Sequence, residues 1–220
     1  MADRRSAVPA AVVDALNSLR SAGATDGFYL AGGTSLALRF GHRMSLDLDL
    51  FHPAGFSAEA VLAKLEAAAV PVGVEYQDEG TLRLSVGVAR TKVEFFRYRY
   101  PLVKSLELRW GVAVAQPLDV GVMKIAAISD RGSRKDFVDL YWIDHEGAPL
   151  ADVLGSVPLK FAERLPDPYH VARSLGYFAD ADREPPPLLL KGPDWPTIRE
   201  WFAQQADLLL RGIEAGRNPW

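Results

Sequence analysis

The chain has 220 residues, of which 49% are hydrophobic and 24% charged, with no cysteine and a formal net charge of -3. That balance places it among ordinary globular proteins and excludes disordered, collagen-like and disulfide-stapled classes, as well as thiolate metal sites. It also argues against a protein that coats nucleic acid by bulk charge, although RGSRK and FRYRY concentrate cations locally. The opening MADRRSAVPAAVVDAL has an apolar run too short and interrupted for a signal peptide, and no stretch approaches the roughly 20 apolar residues that span a bilayer, so a soluble, cytoplasmic protein with no membrane partner is expected.

In chain order, residues 8–22 carry apolar positions at helical spacing and stop at Gly23. Phe28 to Ala31 reads as a short buried strand, Gly32 and Gly33 as a turn, and TSLALRF as a helix ending at Gly41. Ser45 to Phe51 alternates, predicting a strand with Leu46, Leu48 and Leu50 on one face and Ser45, Asp47 and Asp49 on the other. SAEAVLAKLEAAA opens on a serine cap and reads as an amphipathic helix. VGVEYQDE, TLRLSVGVA and TKVEFFRYRY form an antiparallel meander, giving a mixed sheet of about five strands.

From Leu118 the texture becomes helical. VGVMKIAAISDR and RKDFVDLYWI predict two helices, with Ser133 as the cap of the second, and residues 150–220 predict three more around the stiff EPPPLLLKGPDWP connector. The expectation is an α+β chain: a small sheet domain with its N-terminal helix over 1–115, then a helical domain over 116–220 that completes the site.

The chemistry centres on Asp47 and Asp49. On an extended strand two such carboxylates lie roughly 6 to 7 Å apart, and at an effective dielectric near 20 they repel by on the order of 2 to 3 kcal/mol. A divalent cation offsets this, since Mg²⁺ takes one or two carboxylates with phosphates and water; a merely wet edge strand is the alternative. The glycines before the helix expose backbone N–H groups that suit a phosphate. His42 follows a helix-ending glycine and reads as a surface turn residue. Lys124 and Arg131, seven apart, share a helix face able to hold a triphosphate, or else make a solvated face. Asp136 and Asp139, three apart, share the next helix face, where Asp136 could close a capping arrangement with Ser133.

Gly32, Gly33, Ser35, then Asp47 and Asp49, with Glu94 in TKVEFFRY as the candidate third carboxylate, resemble the nucleotidyltransferase superfamily with the DNA polymerase β type palm. Glu94 reads equally as a strand acid facing solvent between Lys92 and Arg97. Lys124 to Arg131 followed by RKDFVDL is similar to the next motifs of the AbiEii/AbiGii toxin family, a branch of those enzymes. The resemblance spans roughly residues 28–145. It implies a nucleotidyltransferase palm with a helical C-terminal half, and metal (Mg²⁺ or Mn²⁺) and phosphate binding by Asp47 and Asp49. It further implies Ser45 in the active-site strand, phosphate contact by Lys124, and an essential acid at Asp139 or Asp136. Gly32, Gly33, Ser35, Arg131 and Asp136 join the nucleotide set. The serine after the glycines is displaced to Ser35, and YHVAR, with Tyr169 and Arg173, is the nearest analogue of a fourth motif. The implied activity is transfer of NMP from an NTP to RNA, such as a tRNA 3′ end, or to a protein hydroxyl, by a toxin with a cognate antitoxin. A non-catalytic nucleotide-binding module and an aminoglycoside-type small-molecule transferase are the rival classes.

Overall fold

The computed structural model describes residues 7–220; the opening six residues, and the reading made of them, lie outside the described part. The chain divides into two compact units, Met1–Pro101 with Ser105–Ala115, and Leu102–Lys104 with Gln116–Trp220.

The first unit is built on one mixed sheet. Helix α1 (Ala10–Ser21) buries Val12, Ala15, Leu16 and Leu19 at helical spacing, and the chain then turns at Gly23, whose φ of 68° suits a residue without Cβ. Strand β1 (Tyr29–Ala31) feeds α2 (Gly32–Phe40), which ends in a left-handed cap at Gly41. Strand β2 (Leu48–His52) follows, then α3 (Ala58–Ala67), capped by the Ser57 side chain, which accepts a hydrogen bond from the Ala60 amide. Strands β3 (Val72–Gln77), β4 (Thr81–Val86) and β5 (Thr91–Arg97) form the expected antiparallel meander.

Among the described residues the sheet has seven strands rather than about five, in the order β3-β4-β5-β2-β1-β7-β6. The additional pair, β6 (Glu107–Arg109) and β7 (Val112–Val114), is a hairpin of two three-residue strands joined through Trp110 and Gly111. β2 runs antiparallel to β1 and parallel to β5. One face is apolar: Leu30, Leu48, Leu50, Leu82, Leu84, Val93 and Phe95 are fully buried there with residues of α1 and α3. The opposite face carries Ala31, Asp49 and Glu94 in one row and Tyr29, Phe51 and Phe96 in the next, because paired residues share a side and alternate residues return to it.

Strand β2 starts later than its alternating pattern predicted. Ser45 and Asp47 precede it, and Leu46, expected on the buried face, is 56% exposed. The approach is shaped by specific hydrogen bonds instead of a ladder: the Ser45 amide donates to the Ala7 carbonyl at 2.9 Å, and the Thr34 hydroxyl donates to the Asp47 carbonyl. His42, expected at the surface, is fully buried beside Phe40.

The second unit is helical: α4 (Pro117–Arg131), α5 (Arg134–Glu146), α6 (Leu150–Gly155), α7 (Val157–Lys160), α8 (Pro168–Leu175), α9 (Ala179–Arg183) and α10 (Trp195–Glu214). Two of the three long helices expected after residue 150 are therefore each broken into shorter pieces, the first ending in a 3-10 turn at Ala162–Arg164. The first gives α6 and α7, divided at Ser156; the second gives α8 and α9, divided by Gly176 to Phe178. Its core gathers Val120, Ile125, Phe137, Ile143, Val153, Val171, Ile198 and Phe202.

Candidate functional site

In the first unit the site is built where β1 turns into α2. Gly32 adopts φ 67°, a left-handed conformation that costs any residue with a Cβ. Its open side is filled by Asp49, whose Oδ2 would overlap a methyl placed there. At Gly33 the occupied space belongs to Arg43: a Cβ would collide with its Nη2, and would stand 3.3 Å from Ser45 Oγ. Arg43 is only 5% exposed, and its Nη1 donates to the Met44 carbonyl at 3.0 Å. Sequence reasoning passed over this arginine; the signal available was a cation lying between the glycine turn and the two aspartates.

The serines expected near a nucleotide are both engaged. Ser35 Oγ donates back to the Gly32 carbonyl at 2.8 Å. Thr34 Oγ1 lies 2.8 Å from Ser45 Oγ and also against the Asp47 carbonyl oxygen. Thr34 has one hydroxyl proton, so both contacts are satisfied when it donates to Asp47 and accepts from Ser45. That chain of contacts ties the helix N-terminus to the segment carrying Asp47. Asp47 and Asp49 are each half-buried, between the core and solvent.

Glu94 pairs in register with Asp49 across β2 and β5, so the two acids are neighbours on one face. Its oxygens are taken by two cations: Arg83 Nε lies 2.7 Å from Oε1 and Lys92 Nζ 2.8 Å from Oε2. Burial would raise the Glu94 carboxyl, but the hydrogen bonds and charges of Lys92 and Arg83 outweigh it and hold it below the usual carboxylate range. The alternative of a solvent-facing strand acid does not hold, since Glu94 is 7% exposed. Among the described residues, no group of three or more His, Asp or Glu is gathered in one place. Beyond Glu94, Tyr29 stacks on Phe51 at 5.7 Å and Phe51 on Phe96 at 5.3 Å, an aromatic row on the Asp49 face.

In the second unit the four charged residues singled out in the sequence do meet. Lys124 Nζ lies 2.6 Å from Asp136 Oδ1 and 2.7 Å from Asp139 Oδ2, and both aspartates are fully buried. Arg131 brings Nε and Nη2 to Asp136 Oδ2 at 3.2 and 3.1 Å. Seven residues of helix therefore deliver both cations to one acid. Burial pushes the Asp136 carboxyl up, while Lys124 and then Arg131 pull it down more strongly, leaving it lowered. Asp136 is not the cap of α5. Ser133 makes no side-chain cap bond; its hydroxyl donates to Glu184 Oε2 at 2.8 Å, and the Arg134 amide donates to the same oxygen at 2.9 Å, so a glutamate from beyond α9 closes the helix. A second buried pair, Lys160 with Asp119 at 2.8 Å, lies at the start of α4, where Asp119 also accepts the amides of Val103 and Lys104. Tyr169 and Arg173, the fourth-motif analogue, sit one turn apart and exposed on α8.

The chain as a whole is similar to known proteins. The profile of a family described as "Nucleotidyl transferase AbiEii toxin, Type IV TA system" matches residues 14–208. An uncharacterized protein of Aquifex aeolicus (strain VF5) is 36% identical over 201 residues, covering 87% of this chain and 92% of that protein. Among solved structures, MenT4, the nucleotidyltransferase toxin Rv2826c of Mycobacterium tuberculosis H37Rv, superposes with a TM-score of 0.59 at 15% identity, covering 90% of this chain and 82% of its own. JHP933 from Helicobacter pylori gives a TM-score of 0.57 at 17% identity, covering 92% of each chain. At such identities the two structures speak for the fold, while the family profile and the Aquifex relative carry the kinship.

Proposed function

The chain belongs to the AbiEii nucleotidyl transferase toxin family, and on that premise we propose that it moves a nucleoside monophosphate from an NTP to an RNA hydroxyl, foremost the 3′ end of tRNA, with a protein hydroxyl as the other acceptor. The enzyme class, nucleotidyltransferase, goes with the family; donor, acceptor, metal and antitoxin are the proposal. The observation that carries it is the seating of Asp49 in the space left by Gly32, which puts a carboxylate against the first turn of α2, where backbone N–H groups suit phosphate.

The donor set suits a hard divalent cation. Asp47 and Asp49 would hold Mg²⁺ or Mn²⁺ with oxygen only, leaving its other positions to phosphate and water, and the bound ion would supply charge neutralisation to the triphosphate and the departing pyrophosphate. Glu94 stands beside Asp49 with both oxygens ion-paired, and its part is to steady that row rather than to coordinate. The residues of the chain do the positioning. The amides around Gly32 and Gly33 receive phosphate oxygens, Ser45 and Thr34 hold the Asp47 segment to that turn, and Ser35 braces the turn through the Gly32 carbonyl. The acceptor hydroxyl attacks the α-phosphorus in line, an O–P bond forms as the bond to pyrophosphate breaks, and the hydroxyl proton passes to a base.

In the second unit we read Lys124 as a phosphate-contacting cation whose Nζ is held in place by Asp136 and Asp139, with Arg131 completing the charge balance. Phe51 and Phe96, half-buried on the Asp49 face, support a nucleobase-bearing acceptor, since every base offers a face to stack. The partners proposed are an NTP, RNA and a cognate antitoxin, in the cytoplasm; no helix among the described residues is long and apolar enough to cross a membrane.

The test is incubation with each α-labelled NTP, Mg²⁺ and total tRNA, beside an Asp47→Ala control. Label moving to RNA only in the wild type supports the reading. Binding without transfer points to a nucleotide-binding module, and undiminished transfer in Asp47→Ala overturns the site.

A further inference from the structure

We infer that Arg43 is the resident counter-cation of the Asp47 and Asp49 site, a positioning residue that balances the carboxylates before a divalent ion arrives and favours the triphosphate at that ion's expense. This rests on the assignment of metal and nucleotide to Asp47 and Asp49.

The two glycines perform different tasks. Gly32 has a left-handed backbone and leaves room for the Asp49 carboxylate. Gly33 has no such backbone; what its missing side chain provides is space, and the Arg43 guanidinium fills it. Two successive residues thus admit one anion and one cation. Ser45 Oγ approaches the same point beside Gly33 at 3.3 Å, and Ser45 is hydrogen-bonded to Thr34, which holds the Asp47 carbonyl. Arg43 therefore lies at the turn that seats Asp49 and that is tied through Ser45 and Thr34 to the Asp47 carbonyl.

Neighbouring cations are directed elsewhere. Arg39 pairs with Glu107 at 3.2 Å, and Arg83 and Lys92 pair with Glu94. A guanidinium stays protonated at any working pH, so the charge beside Gly33 is permanent. At 5% exposure it is also poorly screened by salt. A fixed positive charge at the glycine turn that seats Asp49 opposes a divalent cation bound there and attracts a triphosphate. Its removal should shift the two affinities in opposite directions. A side chain that merely braces the turn would, when removed, weaken both.

The test uses the full-length protein and two binding measurements. Mn²⁺ binding without nucleotide is followed by electron paramagnetic resonance, and ATP, CTP, GTP and UTP binding by equilibrium dialysis. Arg43→Gln should bind Mn²⁺ about three- to tenfold more tightly and the favoured NTP about tenfold more weakly, the size expected for one poorly screened charge. Unchanged or weaker Mn²⁺ binding in that variant overturns the inference. Arg43→Lys serves if the glutamine variant fails to fold: it keeps the charge, so its Mn²⁺ affinity should stay within about twofold of wild type, and a larger change in either direction overturns the inference. Asp47→Ala, which should lose Mn²⁺, tells two failures apart. Mn²⁺ retained there overturns the site assignment and this inference with it; Mn²⁺ lost there but unchanged in Arg43→Gln overturns this inference alone.

Discussion

The Asp49 carboxylate rests against the α-carbon of Gly32 so closely that a methyl group at Gly32 would overlap Oδ2. Gly32→Ala therefore incurs two penalties. A left-handed φ of 67° costs a residue with a Cβ about 1 to 2 kcal/mol, and the carboxylate must also leave its seat. Thermal unfolding should show a drop in Tm of several degrees, while nucleotidyl transfer falls far more than the remaining folded fraction explains. Wild-type transfer at equal folded fraction would show that Asp49 does not need this seat.

Lys124 is shared by two fully buried aspartates, lying 2.6 Å from Asp136 and 2.7 Å from Asp139. Lys124→Met leaves those carboxylates undercompensated, and breaking a buried pair from one side costs about 3 to 5 kcal/mol. Adding Asp139→Asn should recover part of that loss, because the second substitution removes a charge the first left stranded. Chemical denaturation of both single variants and the double variant closes the cycle, and strict additivity would contradict the coupling.

Low pH gives a signed expectation for Asp136. Its carboxyl lies below the ordinary value of about 3.9, so its contribution is fully present above roughly pH 4 and is lost as pH falls through the lower folded value. Stability of the wild type should decline below about pH 4 more steeply than that of Asp136→Asn, which has nothing to protonate at that position. Parallel stability curves for the two proteins in that range would show the carboxyl unperturbed.

Glu184 closes the N-terminus of α5 by accepting from Ser133 Oγ and the Arg134 amide. Glu184→Ala should lower stability by about 1 to 2 kcal/mol, the usual cost of a lost helix cap, with transfer activity at moderate temperature retained. Ser133→Ala should cost less, since the Arg134 amide keeps its acceptor. A larger loss from Ser133→Ala would mean the serine caps the helix itself.

Much of this architecture was legible from spacing. The glycine turn, its helix and the alternation of Leu48, Asp49 and Leu50 are local patterns, and helical periodicity brought Lys124 and Arg131 to one face before any partner was visible. What escaped depends on contacts between distant residues. β6 and β7 are three residues each, and their turn holds Trp110 at φ 52° where a hairpin signal would show Asn or Asp before Gly111. Leu46 obeyed the strand pattern, yet Ser45 is drawn to Ala7 and Asp47 to Thr34, so the strand begins only at Leu48. His42 looked like a turn residue and Arg43 drew no reading, because nothing local says that Phe40 and Gly33 will receive them. Asp136 resembled a cap because Glu184, which takes that place, lies 51 residues from Ser133.

The most direct test of the central claim compares label position in the donor. The wild-type enzyme is given the favoured NTP labelled either at the α- or at the γ-phosphate, with tRNA and Mg²⁺, and the acceptor is isolated. The account predicts that α-label enters the acceptor, γ-label leaves as pyrophosphate, and both Asp47→Ala and Asp49→Ala abolish the transfer. Incorporation of γ-label, or α-label transfer that survives loss of both aspartates, would contradict it.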